Sequence, residues 1–534
     1  SDNLKFLGKI SLELDRYKAA VAYLNKAAKE IRKVLKFSET KLLRLESEIY
    51  QLLIYANSKS GKHYEAFRIS EVQTIKKFHS YGLFKKTITV ADQDSIPNDR
   101  AVLIITNVAS NNPVRIVVHN KKVISEDMDK LKFIKTVYTK LGREIEHYIH
   151  KNIRSFVYKK RSDDDVFNVE FQKIIFLYRH YLSKRFINKQ DQKNFAYLSK
   201  TLYQFFIRDI ERNFNMKKNI IIKAEGVLSL LPFETLLMPD NNYLVEKYDI
   251  SYTPIYSMND NIIKKITFKK NRSPLLVIGH TNNKLKRKIK VKYFQSVRAL
   301  VYKEELINSR IRYDYNLSKD LKFFNNLRNK IFFTRDERKK LQSEIKGSKF
   351  ILKRWNTEKT IKGHSKNGKL KNFKILHFQT PLLMLREFPL FFTLDFNNNR
   401  RIVRNNDGIL SLKEVSSLKL NADLVALTGA FSAGYGFNRG ESLWQLYLSF
   451  FSAGAKQVSA STWLVNDKSR ILFLLYAYHL VIEKKMSFKA ALNKTKRAFI
   501  DGTIPKAFIE KVGITEVNRL KTPYHWASYS LYGF

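Results

Sequence analysis

The stretch DLVALTGAFSAGYG, residues 423–436, has the form of a segment that carries chemistry: an apolar run emptying into small residues. A buried parallel strand has this pattern, and open α/β sheets place their reacting groups at such carboxyl ends. Yet Thr428, Gly429, Ala430, Phe431 and Ser432 supply no obvious nucleophile, no metal ligand and no phosphate cradle. The chain contains no cysteine in 534 residues, which excludes thiol catalysis, disulfides and Cys-ligated zinc.

The elements that would position such a site alternate along the C-terminal half. Strands are expected at 219–224, 248–255, 274–280, 374–380, 423–429, 457–463 and 527–533, with helices at 441–453, 468–483 and 486–500. This layout predicts an α/β fold with a largely parallel sheet flanked by helices. Upstream, β-branched runs at 99–108 and 113–120 flank the turn-like ASNNP, and helical stretches continue to about residue 215. Their aromatic positions, Tyr178, Tyr181, Phe186, Tyr197, Tyr203 and Phe206, have helical spacing and suit a core better than a base-stacking platform.

The first 80 residues or so are expected to be all helix. Large and small residues alternate at Leu7, Gly8, Tyr17, Ala20, Leu24 and Ala27, as in two helices packed closely through Gly8 and Ala20. Gly61 marks a turn in a second copy of the pattern, where Ala66 answers Ala20 at an offset of 46 residues. The segment resembles tetratricopeptide repeats with extended helices, although two units are fewer than the roughly three a free-standing solenoid needs. A generic helical hairpin is the alternative.

Composition bounds the rest. The net charge is +49 and no stretch is apolar enough to span a membrane. Such a charge favours polyanions, either nucleic acid or an anionic surface, and it is concentrated between residues 283 and 374. Lysine dispersed over every segment also fits compositional drift, and that stretch is expected to be a surface insertion or solvated loops. The start, SDNLKFLGKI, lacks an initiator Met and a signal-peptide pattern, as in a trimmed chain or a piece of a longer one. A reducing, cytoplasmic setting is expected, without cofactor or metal.

Several segments together resemble one family, the CHAT domains, which are caspase-like peptidase domains carried behind tetratricopeptide repeats. IIIKAEGVLSLLPFETLL (220–237) resembles its strand followed by a Leu-Pro-Phe-Glu step, here Leu231 to Glu234. YLVEKYDISYTPIYSM (243–258), LLVIGH, residues 407–436, FFSAGAKQVSASTWLVND (450–467), 491–500 and YHWASYSLYG (524–533) follow in the family's order. The resemblance implies two parts: a tetratricopeptide-like segment at 1–79 and a CHAT region at 80–534. Within the latter, 80–215 would hold N-terminal strands and helices, and 216–534 the caspase-like core with its basic insertion near 283–374.

Active members are cysteine peptidases whose His and Cys sit on adjacent strand ends, where an imidazole activates the thiol and protonates the leaving amine. The resemblance places the His position on Pro381, followed by Leu382 where the family has Gly, and the Cys position on Ala430. The acidic position after the Cys falls on Phe431. His377, Thr380, Thr428, Gly429, Ser432 and Glu441 would neighbour the cleft. Glu441, Trp463 and the glycines at 434, 436 and 454 are retained. His377 lies four residues before Pro381, about 13 Å along a strand, which makes it a hydrogen-bonded core histidine rather than a base. Ser432 is expected to be a loop hydroxyl. An engineered Cys-to-Ala change would explain Ala430 but not Pro381, Leu382 and Phe431.

The expectation is therefore a pseudo-peptidase that binds a protein partner through its N-terminal helices or its vacated cleft. The alternatives are an active CHAT endopeptidase whose dyad is absent from this chain, and a nucleic-acid-associated basic protein.

Overall fold

A computed structural model describes residues 2–31, 39–80, 90, 100–106, 113–152, 163–213, 218–257, 271–279, 334–352, 357–380, 382–385, 388–395, 408–429, 441–465 and 468–533. The chain divides into two compact units, one built on Ser1–Tyr181 and Phe186–Lys265, the other on Ile266–Gly533 with Leu182–Arg185.

The first unit opens with helices α1 (Asp2–Glu13), α2 (Tyr17–Ile31), α3 (Glu39–Lys59) and α4 (His63–Ser80). Ala20 and Ala66 are the fourth residues of α2 and α4, and both are fully buried. Gly8 makes room for Leu24 rather than Ala20: a Cβ there would lie 2.7 Å from the leucine side chain. Strands β1 (Arg100–Thr106), β2 (Val114–His119), β3 (Lys122–Asp127), β4 (Asn219–Ala224) and β5 (Asp249–Tyr252) lie in the order β3-β2-β1-β4-β5. β1, β4 and β5 are parallel, while β2 and β3 are antiparallel additions. Helices α5 (Lys130–Asn152), α6 (Asp163–Ser183) and α7 (Lys189–Phe206) fill the long connection from β3 to β4.

Helices and sheet share one core. Leu24, Ala27, Ile49, Leu53 and Phe67 pack in a cluster with Val102, Ile104, Ile116 and Ile221. An ion pair is sealed at this junction. Lys223, the charged residue of β4, donates to Glu71 Oε1 of α4 at 2.9 Å and to the Ser70 carbonyl at 3.2 Å. Glu71 Oε2 accepts from the Ser257 amide at 2.8 Å and its hydroxyl at 2.7 Å. Both charged side chains have zero exposure.

The second unit holds β6 (Ser273–Gly279), β7 (Lys349–Leu352), β8 (Phe373–Gln379), β12 (Ala422–Leu427), β13 (Ala455–Ser461) and β14 (Tyr529–Tyr532), in the order β14-β13-β12-β8-β6-β7. A separate small sheet is formed by β9 (Leu382–Leu385), β10 (Phe388–Asp395) and β11 (Ile409–Ser411). All neighbours in the larger set are parallel except the β13–β14 pair. Helices cover the connections, including Glu441–Ala453, Lys468–Ile482 and Phe488–Asp501.

Each expected strand in the C-terminal half is present to within a few residues, because strands covered on both faces are continuous apolar runs. The differences fall where that signal is weak. β3 alternates buried and exposed residues and carries Lys122, Glu126 and Asp127, so it lacks an apolar run. In the basic stretch 283–374, residues 283–333 lie outside the described part. The described part of the remainder is not all loop: it includes the helix Arg335–Glu344, β7 and the helix Glu358–Lys366. Four residues of strand among lysines leave no visible period.

Candidate active site

β8 and β12 are adjacent and parallel, so their carboxyl ends lie side by side, as a two-residue site requires. Leu424 pairs with Ile375 and Leu427 with Phe378, and the Thr428 amide extends the ladder by donating to the Phe378 carbonyl at 3.0 Å. β13 borders β12 on its other side.

His377 is fully buried one layer below those ends. Its Nε2 lies 2.6 Å from Thr428 Oγ1, and its Nδ1 lies 3.2 Å from the hydroxyl of Tyr478 on the helix Lys468–Ile482. Burial, with Arg470 nearby, pushes the imidazole pKa down to about 3. Burial also pushes the Tyr478 phenol above its ordinary value. A neutral imidazole has one donor and one acceptor, and two hydroxyls satisfy both in either tautomer. At neutral pH such a weak base removes protons poorly, and Thr428 is only 4% exposed. The three groups form a polar strut that ties β8, β12 and the covering helix together. Tyr478 was not singled out from sequence: a phenol within ILFLLYAYHLV looks like another core residue.

Two segments quoted for the family resemblance have structural roles visible here. Gly454, in the Ala-Gly-Ala step before β13, adopts φ +108°, and a Cβ there would lie 2.5 Å from the Leu420 carbonyl oxygen. That close approach lets Leu420 N bond the Ala453 carbonyl at 2.7 Å, just before β12 begins. Gly454→Ala is expected to lower the unfolding free energy by about 2–3 kcal/mol, read from urea midpoints, through positive-φ strain and the backbone clash. In the Leu-Pro-Phe-Glu step of the first unit, Phe233 N donates to the Tyr252 hydroxyl at 2.8 Å, and that hydroxyl donates to buried Glu234. The motif locks a turn to β5. In the second unit, the Trp463 indole donates to the Tyr524 carbonyl at 3.0 Å, joining the end of β13 to the turn before β14.

A model of the CHAT domain family matches residues 197–534. The chain belongs to the CHAT domain family. No curated protein matches this CHAT chain. Among solved structures, it is similar to a chain in two crystal structures of the Saccharomyces cerevisiae separase–securin complex, at 2.6 and 3.0 Å resolution. Each match has 10% sequence identity and a TM-score of 0.42, covering 97% of this chain and 37% of the other. The CHAT chain thus spans little more than a third of the length of the chain it resembles.

Of the residues singled out from the sequence, the structure brings His377 and Thr428 into contact and buries Thr380 completely after β8. Gly429 follows at the end of β12 and is buried. Pro381, Ala430, Phe431, Ser432, Gly434 and Gly436 lie outside the described residues. Glu441 begins the helix Glu441–Ala453, but its side chain is outside the described part. Leu382 opens β9 and is fully buried. Among the described residues no group of three His, Asp or Glu side chains is placed to hold a metal ion, and no helix is long and apolar enough to cross a membrane.

Proposed function

We propose that this CHAT protein is catalytically inactive and works as a protein-binding or regulatory module. The observation that carries this reading is chemical: a family whose active members use a cysteine nucleophile is represented here by a chain with none, and Ala430 follows the strand where the thiol belongs. The register supports the placement. Partners on β8 and β12 differ by 49 in residue number, Leu424 with Ile375, and 430 and 381 differ by the same amount. This matching offset supports reading Pro381 and Ala430 as the two family dyad positions, which the resemblance assigns to them. His377 does not replace the missing base, since its buried imidazole is committed to Thr428 and Tyr478. The helical segment, read as tetratricopeptide-like, is the expected docking element. Phe6 of its first helix and Leu14 in the turn that follows are more than half exposed, as a protein partner would use.

Purified protein is expected to show no hydrolysis of casein or a peptide library above a buffer blank over a day. Hydrolysis abolished by Thr428→Ala or Ser432→Ala would overturn the reading and establish a hydroxyl nucleophile in the thiol's place.

A further inference from the structure

The edge of the second unit at which its parallel strands begin carries a strong excess of positive charge among the described residues. β7, β8 and β12 start at Lys349, Phe373 and Ala422. The segments entering them hold Lys346, Lys349, Lys369, Lys371, Lys374 and Lys419, all exposed except half-buried Lys371. The one acidic residue in those segments is Asp423, whose carboxylate is taken by Arg272 at 2.8 Å. Nearby Glu414 is engaged by Lys362 at 2.6 Å. Basic residues outnumber acidic ones two to one in the whole chain, 98 to 49, but six to one here.

Strand register brings these lysines to one edge. β7 pairs with β6, β6 with β8, and β8 with β12, all parallel. The starts of β6, β8 and β12 are level, and Lys349 pairs with Leu276, three residues further in, so that Lys346 precedes β7 at the level of the other starts. At about 4.8 Å per strand the row is roughly 14 Å wide, the rise of about four nucleotides on one strand of a duplex. The neighbouring apolar side chains Leu370, Phe373, Leu418 and Leu420 are buried, which leaves nothing for a bilayer to cover. Compact ammonium groups suit phosphate as point charges, and the absence of arginine forks or exposed rings among the six removes the means of reading bases.

We infer that this edge binds the phosphate backbone of nucleic acid, independently of sequence. The test uses the full chain, a fluorescein-labelled 20-base-pair duplex, and anisotropy titrations from 50 to 300 mM KCl. The slope of log K against log salt is expected near −4 to −5, and the triple variant Lys369→Gln, Lys374→Gln, Lys419→Gln reduces its magnitude by about 3 with an unchanged melting temperature. The control Lys18→Gln, Lys26→Gln, Lys29→Gln removes three exposed charges from α2 in the other unit and leaves the slope as it was. Equal loss in both triple variants would overturn the inference, leaving only the diffuse field of a +49 chain. No binding at 50 mM salt would also overturn it. So would polyglutamate displacing the duplex as well as unlabelled duplex does, which would mark an acidic-peptide site instead.

Discussion

Glu71→Ala is expected to lower the unfolding free energy by about 3–5 kcal/mol, because it strands the Lys223 ammonium in a dry core. Lys223 has zero exposure, and it also donates to the Ser70 carbonyl at 3.2 Å. The same change orphans the Ser257 amide and hydroxyl, both of which donate to Glu71. Glu71→Met combined with Lys223→Met removes both charges together and is expected to recover most of the loss, since the desolvation cost disappears with the pair. Urea unfolding of the three proteins measures this. A single variant within about 0.5 kcal/mol of the parent would show that the pair is hydrated. The consequence reaches beyond stability, because Glu71 belongs to the N-terminal helices and Lys223 to β4, an interior strand of the first unit. A compositional boundary near residue 79 separates two styles of sequence, yet a buried charge pair crosses it.

Acid is expected to destabilise the protein through His377. The folded state holds this imidazole neutral down to about pH 3, whereas the unfolded chain takes up the proton near 6.5. Between those values the unfolded state binds more protons, so stability falls as pH drops and is unaffected above about pH 7. The slope from this one group approaches about 1.4 kcal/mol per pH unit, and its total is of order 5 kcal/mol. His377→Gln isolates the contribution. The variant is less stable than the parent at pH 7, because the Thr428 and Tyr478 hydroxyls lose the imidazole. The gap then narrows steadily as pH is lowered to 4. A gap that stays constant from pH 7 to pH 4 would show that the imidazole titrates alike in both states.

Much of the second unit is legible in sequence because its strands are sandwiched between helices. NIIIKA in the first unit and DLVALTG in the second announce themselves as short runs of buried residues, and the helix Glu441–Ala453 begins and ends where its apolar pattern does. β7 is illegible for the opposite reason: at the sheet edge, four residues among lysines need little apolar surface to hold their place. Lys223 is a charge inside the apolar run NIIIKA, and nothing was drawn from it in sequence. Its partner's identity was not visible, since Glu71 lies 152 residues away.

The absence of a thiol follows from composition alone, because no fold can supply an atom that the chain lacks. The order of motifs likewise places Pro381 and Ala430 after two strands without any coordinates. Only the tertiary structure could decide that those strands are neighbours in matching register, and what its polar residues are for. His377 has the side chain of a general base, and sequence could argue its depth only from spacing. Burial holds it neutral, while a phenol 101 residues away and a hydroxyl just past the adjacent strand bond its two nitrogens. Whether an imidazole is a base or a strut depends on the dielectric around it and on the partners that fill its two nitrogens, and both are assembled only when the chain folds.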